Sequence, residues 1–215
     1  MMNKYLTEDE QKRLLLILKQ TTGDTARRDD ALVRLLINSG LRIGECLRLS
    51  VQDAVSAVKS GYLFIPKEYR KGRPGERRDH EVLVTHSVRL ALNDLLALRD
   101  GAPLDDALVV SRKHGILTVR AFQFRLAHWS RLAGLPAGVS PHWLRHTCAM
   151  NIMARTTSND PLGVVKARLG HSSIRSTEVY ARATREKVEA ALHEVDGKPR
   201  LRLADLRRMH EGRAA

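Results

Sequence analysis

The chain has 215 residues, and 37 Lys and Arg against 24 Asp and Glu give it a formal net charge of +13. Its two cysteines exclude a disulfide framework, and its 4% of aromatic residues disfavours a single-strand binder built on stacked rings. No apolar run reaches the roughly 20 residues of a membrane span and no signal peptide pattern is present, so we expect a cytoplasmic protein with a polyanionic partner and no membrane.

The first third of the chain reads as helical. Thr7 and Glu10 form a capping box that starts a helix of about a dozen residues. Apolar residues at helical spacing predict a second helix over 25–39, and Gly40 is placed to end it. A short helix over 42–49 is expected next.

The spacing of apolar residues then changes from a helical pattern to one that predicts a β-hairpin. Residues 61–65 and 80–85 are predicted strands, and the connection KEYRKGRPGERRD gives the hairpin a strongly cationic tip. Helical signals return over 87–99, 118–133, 141–154, 160–170, around Tyr180 and over 186–195. The sequence therefore predicts a mostly α fold with a small antiparallel β-sheet, in the α+β class.

The segment Pro-His-Trp-Leu-Arg-His-Thr from residue 141 holds the first specific pattern. His142 and Arg145 are three apart, so a helix places them on one face. A guanidinium can bind two oxygens of a phosphate diester, and an imidazole can move a proton near neutral pH. One alternative is a capping histidine beside a solvated arginine. Another, a metal bound by His142 and His146, lacks a nearby carboxylate.

Two further motifs carry candidate functional residues. In Gly-Leu-Arg-Ile-Gly-Glu, Arg42 and Glu45 are either a surface ion pair or an arginine held so that its free edge faces a ligand. In Leu-Gly-His-Ser-Ser, His171 comes nine residues before Tyr180. Taken alone, this tyrosine is typical of a core residue whose hydroxyl has found a partner.

In their order along the chain, these motifs and the basic hairpin resemble the catalytic domain of the tyrosine recombinases, the phage integrase family. The resemblance covers roughly residues 7–185 and implies a catalytic domain over 1–185 with the tyrosine recombinase fold. It implies a site-specific DNA recombinase that cleaves and rejoins strands through a 3′-phosphotyrosine intermediate. It also implies that no metal and no other cofactor takes part.

The resemblance assigns catalytic roles to six side chains: Arg42, Lys71, His142, Arg145, His171 and the nucleophile Tyr180. It assigns to Glu45 the task of fixing Arg42. The hairpin lysine is the loosest match, since the run after Lys71 is longer than the family's, and Lys67 is the fallback for the same role. DNA contacts are expected from the hairpin arginines Arg70, Arg73, Arg77 and Arg78.

Larger family members carry a helical core-binding domain before the catalytic one, whereas here only six residues precede the first capping box. We therefore expect a short member, similar to fimbrial-switch invertases or compact integrases of mobile elements, encoded by a bacterium, a phage or such an element. Residues 186–215 resemble the helix that docks on a neighbouring protomer; the alternative is a helix folded back on its own domain. The implied partners are double-stranded DNA, further copies that form a dimer or tetramer on DNA, and a host DNA-bending protein.

Two other functions compete with recombination. A non-catalytic DNA-binding regulator that kept the fold would have no need of the complete catalytic set. A type IB topoisomerase shares the phosphotyrosine chemistry, but the short length and the Arg-His-Thr and Leu-Gly-His-Ser-Ser motifs favour a recombinase.

Overall fold

The computed structural model describes residues 4–71, 75 and 77–170. Its helices are α1 Glu8–Gln20, α2 Asp24–Ser39, α3 Ile43–Cys46, α4 Val51–Ser60, α5 His86–Ala97, α6 Val119–Leu132, α7 Pro141–Arg155 and α8 Pro161–Leu169. Strands β1 (Tyr62–Ile65) and β2 (His80–Leu83) pair antiparallel, with Tyr62 opposite Leu83. The mostly α fold with a small antiparallel sheet is thus confirmed, while the helices predicted around Tyr180 and over 186–195 lie outside the described residues.

The helix boundaries follow local signals in the sequence. The Thr7 hydroxyl accepts the N–H of Glu10 at 3.3 Å, and the Glu10 carboxylate accepts the N–H of Thr7 at 2.8 Å, so the capping box is confirmed. Asp160 caps α8 by accepting the N–H of Gly163 at 2.8 Å.

None of the helices within the described ranges is both long and apolar enough to cross a membrane.

The helix predicted over 42–49 is wrong in extent, and α4 was missed. α3 has only four residues, because the carbonyl of Leu49 accepts the N–H of Leu108 at 2.8 Å and draws the chain into a bridge instead of a further helical turn. α4 begins with a second capping box, in which Ser50 and Asp53 exchange hydrogen bonds of 3.1 and 2.9 Å. This Ser-x-x-Asp pattern was the available signal for α4.

Helix α2 runs through the centre of the core. Leu32, Leu35 and Leu36 are fully buried on it, and it packs against α1, α5 and α7. Burial of such apolar side chains is the main favourable contribution to folding. α7, which carries His142 and Arg145, is therefore held against the centre of the core.

A buried carboxylate fixes α6 on α2. Asp29 is fully buried and accepts hydrogen bonds from Arg28 at 3.0 and 2.6 Å and from the Trp129 indole at 2.8 Å. The Arg125 guanidinium donates to the same carboxylate. Because both oxygens are bonded and two guanidinium groups lie beside the carboxylate, the cost of burying this charge is offset.

Gly40 allows the carboxyl end of α2 to approach α7 and α8 closely. Its φ of +71° lies in the left-handed region, as the prediction of a helix-ending glycine requires. A Cβ atom here would lie 2.4 Å from Leu169 Cδ2 and 3.1 Å from Cys148 Sγ. The position therefore combines a backbone requirement with a packing requirement.

We expect Gly40→Ala to lower the free energy of unfolding by about 2–4 kcal/mol, because left-handed strain and overpacking both apply. Gly61→Ala is the matched control: φ there is +83° but nothing lies within 4 Å, so only the strain applies. Urea unfolding of both variants checks this. Equal losses at the two positions would contradict the close packing at Gly40.

Candidate functional site

Side chains from four distant parts of the sequence line one cleft of about 930 Å³. The predicted site residues found there are Arg42, Glu45, Arg70, Lys71, Arg77, His142 and Arg145. They come from the start of α3, from the hairpin and from the first turns of α7. The structure thus brings together the Arg42 motif, the hairpin and the His142–Arg145 motif, and most of their ionisable groups are cationic.

Arg42 is held by a buried carboxylate. Glu45 is 2% exposed, and its Oε1 accepts from the Arg42 guanidinium at 2.9 Å while its Oε2 accepts the Arg42 backbone N–H at 2.8 Å. The Arg42 side chain is 34% exposed, so part of its guanidinium faces the cleft. Of the two readings of this pair, the geometry favours an arginine fixed by a carboxylate over a surface ion pair.

Arg145 is buried and bonded to two helix ends. Its guanidinium donates to the carbonyl of Gly40, after α2, and to the carbonyl of Leu169, the last residue of α8, at 2.9 Å. Carbonyls at a helix carboxyl end lack partners within the helix and favour a positive charge. Arg145 is therefore fixed while it lines the cleft.

His142 is exposed to solvent and lies beside the cationic groups of the cleft. Partial desolvation lowers its pKa below the ordinary value, and the charges of Arg145 and Arg42 lower it further. A lowered pKa keeps the imidazole neutral near pH 7, which is the form that can accept a proton. The His146 ring stands edge-on to His142, with ring centroids 4.3 Å apart.

The basic residues of the hairpin differ in their exposure and in whether they line the cleft. Lys71 and Arg77 line the cleft, with Lys71 exposed. Lys67, which the structure also describes, is exposed but is not among the residues that line the cleft. Arg78 is exposed, and Arg73 lies outside the described residues. This geometry favours Lys71 over Lys67 for a role inside the cleft.

Arg70 is turned into the protein. Its side chain is 11% exposed, and its guanidinium donates to the carbonyls of Arg78, at 2.9 Å, and Gly170. Nothing in the sequence distinguished Arg70 from the other arginines of the hairpin. Its assignment as a DNA contact stays a prediction.

His171 and Tyr180 lie outside the described residues. The chain that leads to them is well fixed up to Gly170, since Arg168 donates to the carbonyls of Asn38 and Leu83, each at 2.6 Å. His80 lies against the same segment, with Nε2 3.3 Å from the Arg168 carbonyl oxygen. No local signal in the sequence pointed to Arg168 or His80, because their partners lie far away along the chain.

Both cysteines pack beside the cleft helices. Cys46 closes α3 and Cys148 lies on α7, and both are buried. Burial raises the pKa of each thiol above its ordinary value. Within residues 4–71, 75 and 77–170, no cluster of three or more His, Cys, Asp or Glu side chains could hold a metal ion.

Comparison with known proteins gives a consistent set of similarities. Residues 4–187 match the model of the Phage integrase family. Tyrosine recombinase XerC of Shewanella amazonensis (strain ATCC BAA-1098 / SB2B) is 34% identical over 158 residues, which cover 72% of this chain and 49% of that protein. The chain spans about half the length of the curated relatives it matches.

Solved structures show the same fold. The crystal structure of XerA recombinase has a TM-score of 0.71 at 24% identity, over 93% of this chain and 66% of that one. The Tn1549 transposon integrase, in complex with circular intermediate DNA, has a TM-score of 0.71 at 18% identity, over 91% of this chain and 68% of that one.

The environment of His146 makes stability depend on pH. Burial, the neighbouring His142 and Arg145 lower the pKa of His146 to about 4 from an ordinary 6.5. Below pH 6.5 the unfolded chain therefore binds a proton that the folded chain does not bind until about pH 4. The free energy of unfolding should therefore decrease as the pH is lowered from 6.5 to about 4.

We expect His146→Gln to reduce this loss by about 1–2 kcal/mol, less than the shift implies because solvent reaches part of the ring. The measurement is urea unfolding at a series of pH values between 7 and 4, with exposed His86→Gln as control. An unaltered pH profile in His146→Gln would contradict the assignment.

Proposed function

Because the chain belongs to the phage integrase family, we propose that it is a site-specific DNA recombinase that cleaves and rejoins duplex DNA through a 3′-phosphotyrosine intermediate. The observation that carries this proposal is the shared cleft, where Arg42, Arg145 and His142 meet Lys71. The net charge of +13 also suits a polyanionic substrate.

The two arginines are suited to stabilise the transition state. Attack on a phosphodiester gathers negative charge on the two non-bridging oxygens of phosphorus. Arg42 and Arg145 are both fixed before substrate arrives, so no reorganisation is needed when that charge develops. Loss of one such fixed donor costs about 2.7–4 kcal/mol in comparable oxyanion sites.

Cleavage needs one side chain that accepts a proton and another that donates one. Tyr180 attacks phosphorus with its hydroxyl oxygen, and neutral His142 accepts the hydroxyl proton, because a phenol with a pKa of about 10 is a weak nucleophile at pH 7. The bond from phosphorus to the 5′-oxygen breaks, and Lys71 gives that oxygen a proton. His171 adds a further donor to the phosphate. Rejoining reverses the step with the 5′-hydroxyl of another strand.

The remaining parts of the proposal concern the whole chain. Residues 1–185 form the catalytic domain, and residues 186–215 dock on a neighbouring protomer. Copies of so basic a chain repel each other until DNA neutralises them, so we place the dimer or tetramer on DNA, with a host DNA-bending protein as a further partner. Acting on bacterial, phage or mobile-element DNA places the protein in the cytoplasm.

Incubation with a nicked suicide duplex of the host site tests the proposal, followed by an assay for strand exchange between two sites. A covalent adduct and strand exchange support a recombinase. An adduct with relaxation of supercoiled DNA but no exchange would indicate a type IB topoisomerase, and binding without any adduct would indicate a regulator.

Tyr180→Phe should abolish the covalent adduct and leave DNA affinity within a few-fold, because only the attacking oxygen is lost. Tyr62→Phe, at an exposed position on β1, makes the same chemical change away from the cleft and should keep the adduct. Gel detection of the adduct on labelled suicide DNA is the measurement. A persistent adduct in Tyr180→Phe would place the nucleophile elsewhere.

Lys71→Ala should slow cleavage by about 10²–10⁴-fold, the usual contribution of a general acid. A 5′-bridging phosphorothiolate should restore the rate, because its sulfur leaves without a proton. Lys67→Ala is compared on the same two substrates. Rescue of Lys67→Ala but not of Lys71→Ala would reassign the general acid to Lys67.

A further inference from the structure

We propose that Arg70 is a positioning residue that fixes the hairpin to the carboxyl end of α8 and thereby holds Lys71 in the cleft. The inference rests on the proposed function, since Arg70 acts through the general acid next to it. It replaces the expectation that Arg70 contacts DNA.

The contacts of Arg70 join three segments. Its Nη1 donates to the carbonyl of Arg78 at 2.9 Å, which ties the outgoing arm of the hairpin to the returning arm. Its Nη2 donates to the carbonyl of Gly170, directly after α8. One planar guanidinium thus closes the hairpin below its tip and anchors it to the helix end. Lys71, the next residue, is exposed and lines the cleft.

The packing around Gly170 leaves no space for a side chain. Gly170 has a φ of +61°, and a Cβ atom there would lie 2.6 Å from Arg70 Nη2 and 2.9 Å from the His80 ring. The base of the hairpin is tied to the same helix, because Arg168 donates to the carbonyl of Leu83 at 2.6 Å. Arg70 extends this anchorage from the strands to the residue before Lys71.

Arg70 also shares a carboxylate with the arginine across the cleft. Its Nε lies 3.7 Å from Glu45 Oε1, the oxygen that accepts from Arg42 at 2.9 Å. That Nε is buried and has no hydrogen-bond partner among the described residues, so its interaction with Glu45 is one of charge alone. The position of the hairpin and the position of Arg42 therefore depend on the same buried group.

Both terminal nitrogens of Arg70 donate to backbone carbonyls, one on the returning arm of the hairpin and one directly after α8, and the side chain is 11% exposed. Arg70 thus ties two segments together, and the experiment has to separate this positioning role from a direct contact with DNA. Arg78 offers the contrast, since its side chain is exposed. Removing either arginine takes away one positive charge, but only the exposed one should change the response of DNA binding to salt.

The experiment compares Arg70→Gln, Arg70→Lys and Arg78→Gln on a suicide duplex with an ordinary phosphodiester and on its 5′-bridging phosphorothiolate. Cleavage at saturating DNA and the salt dependence of binding are both measured. We expect Arg70→Gln to cleave the ordinary duplex about 10- to 100-fold more slowly, as a misplaced catalytic group does. The sulfur substrate should return its rate to within a few-fold of wild type, with an unaltered salt slope.

The other two variants separate position from charge. Arg70→Lys keeps the charge but cannot reach two carbonyls at once, so it should share the rescued defect. Arg78→Gln should lower the log–log salt slope by about 0.9 and keep the wild-type ratio of rates on the two substrates. Wild-type behaviour of Arg70→Lys, or a salt slope in Arg70→Gln lowered as in Arg78→Gln, would overturn the positioning role.

Gly170→Ala provides a second route if Arg70→Gln fails to fold, because the added Cβ displaces the guanidinium without removing it. Its cleavage defect should also be rescued by sulfur, and a defect that sulfur does not rescue overturns the role of Arg70. Wild-type protein that forms no adduct with either substrate would overturn the proposed function itself. Wild-type adduct with an unrescued Arg70→Gln overturns the role of Arg70 alone.

Discussion

The buried guanidinium of Arg145 is the interaction on which the cleft depends. It binds the carbonyls of Gly40 and Leu169, where α2 and α8 end, and it belongs to α7. Three helices are thereby fixed at one point, and the unpaired carbonyls of two helix ends are satisfied by a charge that those ends favour. Gly40 has no side chain, and this lets the helices approach closely enough for the contact. Structure and chemistry cannot be separated at Arg145, because the group proposed to bind phosphate also closes the core.

The cleft is cationic, and the protein stabilises that concentration of charge by different means at different residues. Arg42 has a buried carboxylate, while Arg145 and Arg70 have backbone carbonyls. Carbonyls hold a guanidinium without cancelling its charge, so the field that reaches a bound phosphate is preserved. Glu45 removes part of the field but fixes the direction of Arg42. The net positive charge that remains favours binding of an anion in the cleft. Repulsion between the cationic groups also costs free energy when the protein folds.

Local signals in the sequence were sufficient to predict where the described helices other than α4 start, the hairpin and the approach of His142 to Arg145, because capping boxes and helical spacing act over a few residues. The limits of α3 depended on Leu108, far along the chain, and the extent predicted for that helix was wrong. Arg70 shows the same limitation more sharply. In sequence it is one of several hairpin arginines, whereas its surroundings come from Gly170, a hundred residues away. Burial of a charge is set by tertiary contacts, and no local pattern encodes it.

The two cysteines give the chain a built-in reporter of opening. Cys46 lies beside Glu45 on α3, and Cys148 on α7 lies against the carbonyl of Asn38, 3.8 Å from its sulfur, so each thiol belongs to a different helix. A buried thiol with a raised pKa reacts slowly with alkylating or oxidising reagents. Labelling of either sulfur therefore requires that its helix first separate from its neighbours. The labelling rate of Cys46 measures local unfolding of α3, and that of Cys148 measures local unfolding of α7. Intact packing also shields both sulfurs from oxidants, so oxidative damage at either one should follow local unfolding and not precede it.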